Sequence, residues 1–376
     1  MDYVTWRGDL TLQHSPWSPV DSLIMANLCY NDLGAQAETR QGVLLRELAP
    51  LLPPLPKGTG QLFIQWRELL DAMAVTARYG SIRLRNYVNL VDDERNIQFS
   101  AVTADLPDGM TCVCFRGTDN TIVGWREDFT MAFESPVPAQ MEALTYLEHA
   151  SLISIGDMIL VGHSKGGNLA VYAAAHAEAI TQDRIQAVYS FDGPGVDDAT
   201  IASEGYQRIS SAIHAIIPQS SVVGLLLAYH PEYTVVRSSA VSLFQHDAFT
   251  WQLTGPRFEE LGEVDFGSQV MDETIHEWLL HASPDQRRVF VDTLFDILES
   301  TGASTLNELK ADALGSVIAM VTATRSVDPE TGQMIGQLIG KFVTLGMGNL
   351  WEAITQKPRE LIQNALTGRN ERTQEE

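Results

Sequence analysis

The amino-acid sequence predicts an α/β fold with a mostly parallel central sheet flanked by helices. The first observation is a series of short apolar runs between residues 97 and 236, which suit strands buried on both faces. The second is that helix-type segments separate the earlier runs, and this alternation favours parallel pairing. The third is that strand signals stop after Trp251, and residues 267–367 show successive amphipathic helical patterns. These patterns also predict a helical C-terminal extension.

The chain of 376 residues has room for about two domains at roughly 150 residues each. We predict a mainly helical N-terminal part at 1–94 that packs on a core at 95–255. The remaining residues, 256–376, form the helical extension, which would act as a cap, a lid or a partner surface. A proline-rich stretch at 50–56 predicts a loop within the N-terminal part, because prolines remove donors and clash with helix geometry.

The individual elements follow from the same periodicities. Two strands at 97–104 and 110–115 are joined by a turn at 106–109, and a helix is predicted over 138–152. The later strands are short and apolar, and we place them at 158–161, 187–191, 212–217 and 233–236. The helices expected in the extension include 273–281, 284–300 and 306–324.

Charge and terminal sequence limit the partners. The net charge of −23 repels phosphate backbones and anionic headgroups, so nucleic acid is not an expected partner. The first residues lack a basic segment followed by an apolar one, and no run of 18 apolar residues occurs. We therefore expect a cytoplasmic protein with no transmembrane segment. Export without a leader sequence is left open as an alternative. The oligomeric state stays open.

Three cysteines occur, at Cys29, Cys112 and Cys114. Cys112 and Cys114 alternate on a predicted buried strand, so both side chains should point to the same face. Neighbouring positions on one face of a strand do not have ordinary disulfide geometry. We predict buried free thiols, as expected in a reducing compartment.

The segment Gly162-His163-Ser164-Lys165-Gly166 follows the apolar run at 158–161 and precedes a helical segment rich in alanine. It contains the pattern G-x-S-x-G, in which the glycines remove Cβ atoms that would clash in a tight strand-to-helix turn. The pattern predicts a nucleophile elbow with Ser164 as the nucleophile, at a helix N-terminus whose dipole favours negative charge. The alternative is an ordinary glycine-rich turn.

Lys165 directly follows the serine. Its backbone N–H is the expected first donor to an oxyanion. Its ammonium group either biases the site toward acidic or polar acyl groups or points into solvent.

Several motifs resemble those of class 3 lipases, which belong to the α/β-hydrolase superfamily. They are Cys-Phe-Arg-Gly-Thr at 114–118, Trp125 with Asp128 and Phe129, the elbow at 162–167, and Phe-Asp-Gly-Pro-Gly at 191–195. The last run and a Gln-His-Asp segment are most similar to an uncharacterised bacterial branch of that superfamily. The resemblance covers roughly 95–255, leaves out the C-terminal helices, and implies an α/β-hydrolase fold with ester-hydrolysing activity.

The resemblance also assigns residue roles near the serine. Thr118 corresponds to a second oxyanion donor, acting through its backbone and hydroxyl, although it could instead cap a turn. Trp125 and Asp128 correspond to supports of the oxyanion loop.

His246 is the predicted general base. It follows a strand-like run near the end of the sheet, and the chain order serine, acid, histidine holds. His230 and His214 are weaker alternatives. His163 lies in the elbow, and we expect its side chain to point away from the serine.

The sequence indicates the carboxylate that would orient His246 less directly than it indicates the serine and the histidine. Class 3 lipases place it in a segment resembling 217–223, where this chain has no carboxylate. Asp192 directly follows the strand predicted at 187–191 and could orient the imidazole from there; its other interpretation is a turn residue. Asp197, Asp198 and Asp247 are alternatives.

These residues predict a serine hydrolase that cleaves an ester or related acyl bond of a small molecule or lipid. His246 would take the Ser164 proton, Ser164 would attack the carbonyl, and water would release the acid. No metal-binding or cofactor-binding motif is found, so no cofactor is expected. The alternatives are a thioesterase or amidase on the same fold, or a non-catalytic binding or scaffold protein.

Overall fold

A computed structural model gives the structure of the protein. It describes residues 1–92, 97–118, 131, 135–221, 223–225, 233–240, 242–264, 288–289, 292–293 and 295–296. Within these ranges, no helix combines the length and the apolar character that crossing a bilayer requires.

In the described part of the chain, nine strands form one sheet in the order β1-β2-β3-β4-β5-β6-β7-β8-β11. The strands are β1 (Val43–Leu44), β2 (Arg83–Asp92), β3 (Ile97–Asp105), β4 (Thr111–Phe115), β5 (Met158–His163), β6 (Ile185–Phe191), β7 (Ile213–Pro218), β8 (Tyr233–Val236), β9 (Leu253–Thr254), β10 (Arg257–Phe258) and β11 (Glu260–Leu261). The strands β4 to β8 are parallel, whereas pairing is antiparallel from β1 to β4 and between β8 and β11. The separate pair β9 and β10 is antiparallel.

The helices of the described residues lie either before the parallel strands in the chain or between them. They are α1 (Asp2–Arg7), α2 (Pro19–Leu28), α3 (Gly34–Glu38), α4 (Leu45–Leu48), α5 (Gln61–Ala74), α6 (Pro138–Ile153), α7 (Lys165–His176), α8 (Ala179–Gln182), α9 (Asp198–Ile201) and α10 (Glu204–Ile209). Short 3-10 helices include Ser242–His246 and Ala248–Thr250. The predicted α/β architecture, a mostly parallel central sheet flanked by helices, is confirmed.

The two faces of the sheet are buried against different helices. Cys112, Cys114 and Val161 face a core that α2 and α5 complete, whereas Val113 and Leu160 face a core built with α6 and α7. Every residue of β4 and β5 is buried. This burial on both sides explains why these strands are apolar throughout, without polar alternation.

The sheet begins earlier in the chain than expected. Strand β2 lies within the part predicted to be mainly helical, and it pairs along its length with β3. A register shift between Arg85 and Val88, with Asn86 at φ 52°, interrupts the pairing. Such a bulge displaces the two-residue alternation of side chains, so the strand pattern is hard to recognise. The helices predicted beyond residue 266 lie almost entirely outside the described residues.

The three cysteines are buried and free. The sulfur atoms of Cys112 and Cys114 lie 3.5 Å apart on the same face of β4, which confirms the prediction of neighbouring buried thiols. Burial raises the pKa of the Cys114 thiol well above its ordinary value, so this sulfur is held in the unreactive thiol form.

A buried ion pair holds the N-terminal segment together. The Arg78 guanidinium donates to both carboxylate oxygens of Asp21, at 2.7 and 2.6 Å, and the hydroxyl of Tyr79 donates to the same carboxylate. Both charged side chains are fully buried. The remaining guanidinium hydrogens reach the backbone carbonyls of Leu10, Ser15 and Pro16. The pair is thus fully hydrogen-bonded, as a buried charge must be.

We expect Arg78→Ala to lower the free energy of unfolding by about 3–5 kcal/mol, because it leaves the Asp21 carboxylate buried without its partner. Urea denaturation monitored by fluorescence measures the change. The control is Arg237→Ala, which breaks a half-exposed pair with Glu259 and should cost at most about 1 kcal/mol. Equal losses in the two variants would contradict the prediction.

Candidate active site

Ser164 occupies a sharp turn between β5 and α7. Its backbone adopts φ 59° and ψ −135°, a conformation that L-residues rarely adopt. The turn needs glycine at both flanking positions: a Cβ at Gly162 would collide with the carbonyl of Gly166, and one at Gly166 would collide with the carbonyl of Phe115. The geometry is that of a nucleophile elbow.

The ends of three parallel strands meet at this turn. The Ser164 N–H donates to the carbonyl of Phe191 at the end of β6, at 2.9 Å. After β4, a Cβ built at Gly117 would lie 3.0 Å from the Ser164 Cβ. The serine is therefore bordered by the segment that carries Thr118 and by the segment that carries Asp192.

Asp192 and His246 are brought together from separate parts of the chain. The His246 Nδ1 and the Asp192 Oδ2 lie 2.6 Å apart, with the carboxylate side chain 1% exposed and the imidazole 16% exposed. A carboxylate accepts, so Nδ1 carries the hydrogen and the neutral ring keeps a lone pair on Nε2. This is the tautomer that a general base needs.

The Asp192 carboxylate is held by further donors. Its backbone has φ 47°, a left-handed conformation that aspartate tolerates better than most residues. Its Oδ1 accepts from the Ser221 hydroxyl at 2.5 Å and from the Gly224 N–H at 3.1 Å. Both donors follow β7, in the segment that lacks a carboxylate. The sequence analysis missed the role of Ser221, because it considered this segment only as the source of a carboxylate. The serine hydroxyl was the feature that could have indicated a donor to Asp192.

We expect Ser221→Ala to lower kcat for an activated ester by about 10- to 100-fold, because a hydrogen bond to a charged group contributes roughly 1.5–3 kcal/mol. Without it, the carboxylate can turn away from His246. Steady-state kinetics measures the change, with Ser239→Ala as control because the Ser239 hydroxyl is exposed and bonds to the Thr250 carbonyl. A Ser221→Ala variant with unchanged kcat would contradict the role of this hydroxyl.

The loop that carries His246 is anchored by the buried Gln245. The Gln245 side chain accepts from the Ser220 N–H at 2.8 Å and donates to the Ala240 carbonyl at 3.0 Å. The backbone carbonyl of Gln245 accepts from the Trp251 indole at 2.7 Å. These bonds position His246 although it belongs to a short 3-10 helix.

His163 lies beside His246, a contact that the sequence analysis did not predict. The two ring centroids are 4.6 Å apart. Burial, with a smaller contribution from His246, lowers the pKa of His163 to about 3.

Lys165 is buried, and its ammonium donates to the Gln98 carbonyl on β3 at 3.0 Å. The alternative that it points into solvent is wrong, because only 1% of the residue is exposed. The ammonium is held within the fold, which leaves the backbone N–H as the group of Lys165 proposed for the site. Thr118 is buried directly after Gly117.

The other candidates lie elsewhere in the structure or outside it. His214 is an exposed residue of β7 that stacks on Tyr189. Asp197 caps α9, Asp198 lies in the first turn of that helix, and Asp247 caps a 3-10 helix through the Phe249 N–H. Four residues named above lie outside the described residues: Trp125, Asp128, Phe129 and His230. The described residues include no cluster of His, Cys, Asp or Glu suited to hold a metal ion.

Comparison with known proteins gives one family. The Mbeg1-like family model matches residues 73–296. No curated protein matches the chain. Among solved structures, the M37 lipase is 14% identical, with a TM-score of 0.37 over 56% of this chain and 70% of that one. Because the family model spans more than half of the sequence, the chain belongs to the Mbeg1-like family.

Proposed function

We propose that the protein is a serine hydrolase that cleaves an ester or related acyl bond through an acyl-enzyme intermediate. The observation that carries the proposal is the 2.6 Å contact between His246 Nδ1 and the buried Asp192 carboxylate. A histidine oriented by a buried carboxylate, and a serine in a strained elbow that bonds to the strand end before that carboxylate, match the requirements of nucleophilic catalysis.

Each group then has one role. His246 Nε2 removes the proton from the Ser164 hydroxyl, and the oxygen attacks the acyl carbon. Asp192 orients the imidazole and stabilises its cation. The protonated His246 next gives the proton to the leaving group. It then activates the water that hydrolyses the acyl-enzyme.

The oxyanion of each tetrahedral intermediate would be bound by the Lys165 N–H and by Thr118. Lys165 begins α7, a helix of 12 residues, whose N-terminal end carries positive partial charge. Thr118 follows Gly117, which lies against Ser164. Donors held in place before the reaction stabilise developing charge most effectively.

We further propose that the chain is a class 3 lipase-like hydrolase of bacterial type that acts in the cytoplasm. The Cys-Phe-Arg-Gly-Thr run at 114–118 and the Phe-Asp-Gly-Pro-Gly run at 191–195 support the lipase-like assignment. The buried free thiols suit a reducing compartment. The division at residues 94 and 255 stays part of this proposal, with the helical extension as cap, lid or partner surface.

Labelling with a fluorophosphonate probe tests the proposal. We expect an adduct on Ser164 of the full chain, located by peptide mass spectrometry, and loss of labelling in His246→Ala. His214→Ala is the matched control, because this histidine is exposed on β7 and should leave labelling unchanged. Absence of labelling in folded protein would contradict the proposal and favour a binding or scaffold protein.

The acyl substrate is then addressed with p-nitrophenyl esters of increasing chain length, assayed with and without detergent. Thioester and anilide analogues of the best acyl group separate an esterase from a thioesterase or an amidase. Activation by detergent for long chains would favour a lipid substrate.

A further inference from the structure

We infer that Tyr30 and His163 form a positioning pair that fixes the backbone of His246 while Asp192 fixes its imidazole. This inference rests on the proposed function and adds two residues that do not touch the reacting atoms. His163 bonds to the His246 carbonyl at 2.8 Å and to the Tyr30 hydroxyl at 3.0 Å. The pair therefore links the segment directly after α2, the elbow and the His246 loop.

The partners of His163 determine its tautomer. The His246 carbonyl can only accept, so His163 Nε2 carries the hydrogen and donates it. The buried ring is neutral at physiological pH, because its pKa is about 3. Nδ1 therefore has a lone pair and accepts from the Tyr30 hydroxyl. The phenol thus selects the one tautomer that can hold the His246 carbonyl.

Tyr30 is itself held rigidly. Its ring stacks on Trp66 with centroids 4.1 Å apart and planes inclined by 11°. The Trp66 indole donates to Asn27 Oδ1 at 3.2 Å, and Asn31 donates to the Trp66 carbonyl at 3.0 Å. The hydroxyl of Tyr30 cannot drift without disturbing these contacts.

The Tyr30 hydroxyl also touches the strand end that leads to Thr118. A Cβ at Gly117 would collide with this oxygen and with the His163 carbonyl. The same phenol thus borders the proposed oxyanion segment and the elbow. A small shift of Tyr30 would therefore disturb both the proposed oxyanion segment and the elbow.

Catalysis needs the His246 ring to stay in place while it gains and loses a proton. The bond to Asp192 fixes one edge of the ring, and the contacts of Gln245 anchor the loop at the preceding residue. The bond from His163 fixes the backbone of His246 itself, and the adjacent His163 ring limits movement of the imidazole. Misplacement of about 1 Å can cost roughly 100-fold in rate.

The test compares two amides at position 163. In His163→Gln the side-chain nitrogen reaches about as far as Nε2 and can still donate to the His246 carbonyl, whereas in His163→Asn it stops near the place of Nδ1. We expect His163→Gln to keep kcat within about 3-fold of the wild type and His163→Asn to lose about 10- to 100-fold, with KM unchanged in both.

A second pair of variants tests the same role without changing position 163, so that the result does not depend on how well the His163 variants fold. Tyr30→Phe removes only the donor to His163 and should lower kcat by about 5- to 20-fold. Tyr172→Phe is its control, since the Tyr172 hydroxyl makes a weak 3.9 Å contact with Met141 Sδ, away from His163. Nitrogen NMR of the imidazoles should find His163 neutral with the hydrogen on Nε2 in the wild type.

The outcomes separate this inference from the proposed function. If the wild type is labelled by fluorophosphonate at Ser164 while the Gln and Asn variants react equally fast, the positioning role is wrong and the hydrolase proposal stands. Unchanged kcat in Tyr30→Phe, or a hydrogen on Nδ1 of His163, would also overturn it. Failure of the wild type to be labelled would instead overturn the proposed function.

Discussion

Replacing Ser164 by alanine is expected to lower kcat for an activated ester by about 10⁴- to 10⁶-fold, because alanine has no hydroxyl that could form the acyl-enzyme. The residual rate would come from substrate binding and oxyanion donors alone. Steady-state assays with a p-nitrophenyl ester measure the loss, and an intact-mass measurement should find no acyl adduct.

The fold should survive this change. Ser164 is 2% exposed, and its backbone makes the bonds that define the elbow, whereas alanine removes only the hydroxyl oxygen. Thermal unfolding of Ser164→Ala should therefore resemble that of the control Ser239→Ala. A folded Ser164→Ala variant that keeps the wild-type kcat would exclude Ser164 as the nucleophile.

Asp192→Asn has the second-largest expected effect, a loss of about 10⁴-fold in kcat. Ser221 and Gly224 donate to Oδ1, so the oxygen of the new amide stays there and its NH₂ group replaces Oδ2. That NH₂ donates toward His246 Nδ1, which then carries a lone pair, and the hydrogen moves to Nε2. The imidazole can no longer accept the Ser164 proton.

Asp247, the alternative acid that directly follows His246 in the sequence, provides the control for Asp192→Asn. Asp247→Asn keeps an oxygen that can accept from the Phe249 N–H, so we expect kcat within about 3-fold of the wild type. Fluorophosphonate reaction rates should follow the same order. A large loss in Asp247→Asn together with full activity in Asp192→Asn would reassign the acid.

The sequence by itself determined the features that depend on local patterns. Buried parallel strands are apolar throughout, so the strands predicted at 97–104, 110–115, 158–161 and 187–191 correspond to β3 to β6. The sequence also predicts the turn at Ser164. Only glycine fits at Gly162 and Gly166, so five consecutive residues are enough to recognise this turn.

Strand β2 shows where such patterns stop being informative. Its bulge near Asn86 shifts the side chains relative to the sheet, and the polar Arg85 is buried because Asp105 on the neighbouring strand accepts from it. Neither the bulge nor the ion pair is visible in the local hydrophobic periodicity, because both depend on β3.

The tertiary structure alone decided how the site is completed. Ser221 and Gly224 reach Asp192 because β7 lies next to β6, and Tyr30 reaches His163 across 133 residues of sequence. These contacts depend on strand order and helix packing, which bring together residues with no common local pattern. A hydroxyl or a phenol in a sequence does not indicate its partner, since its hydrogen bond is selected only when the chain is folded.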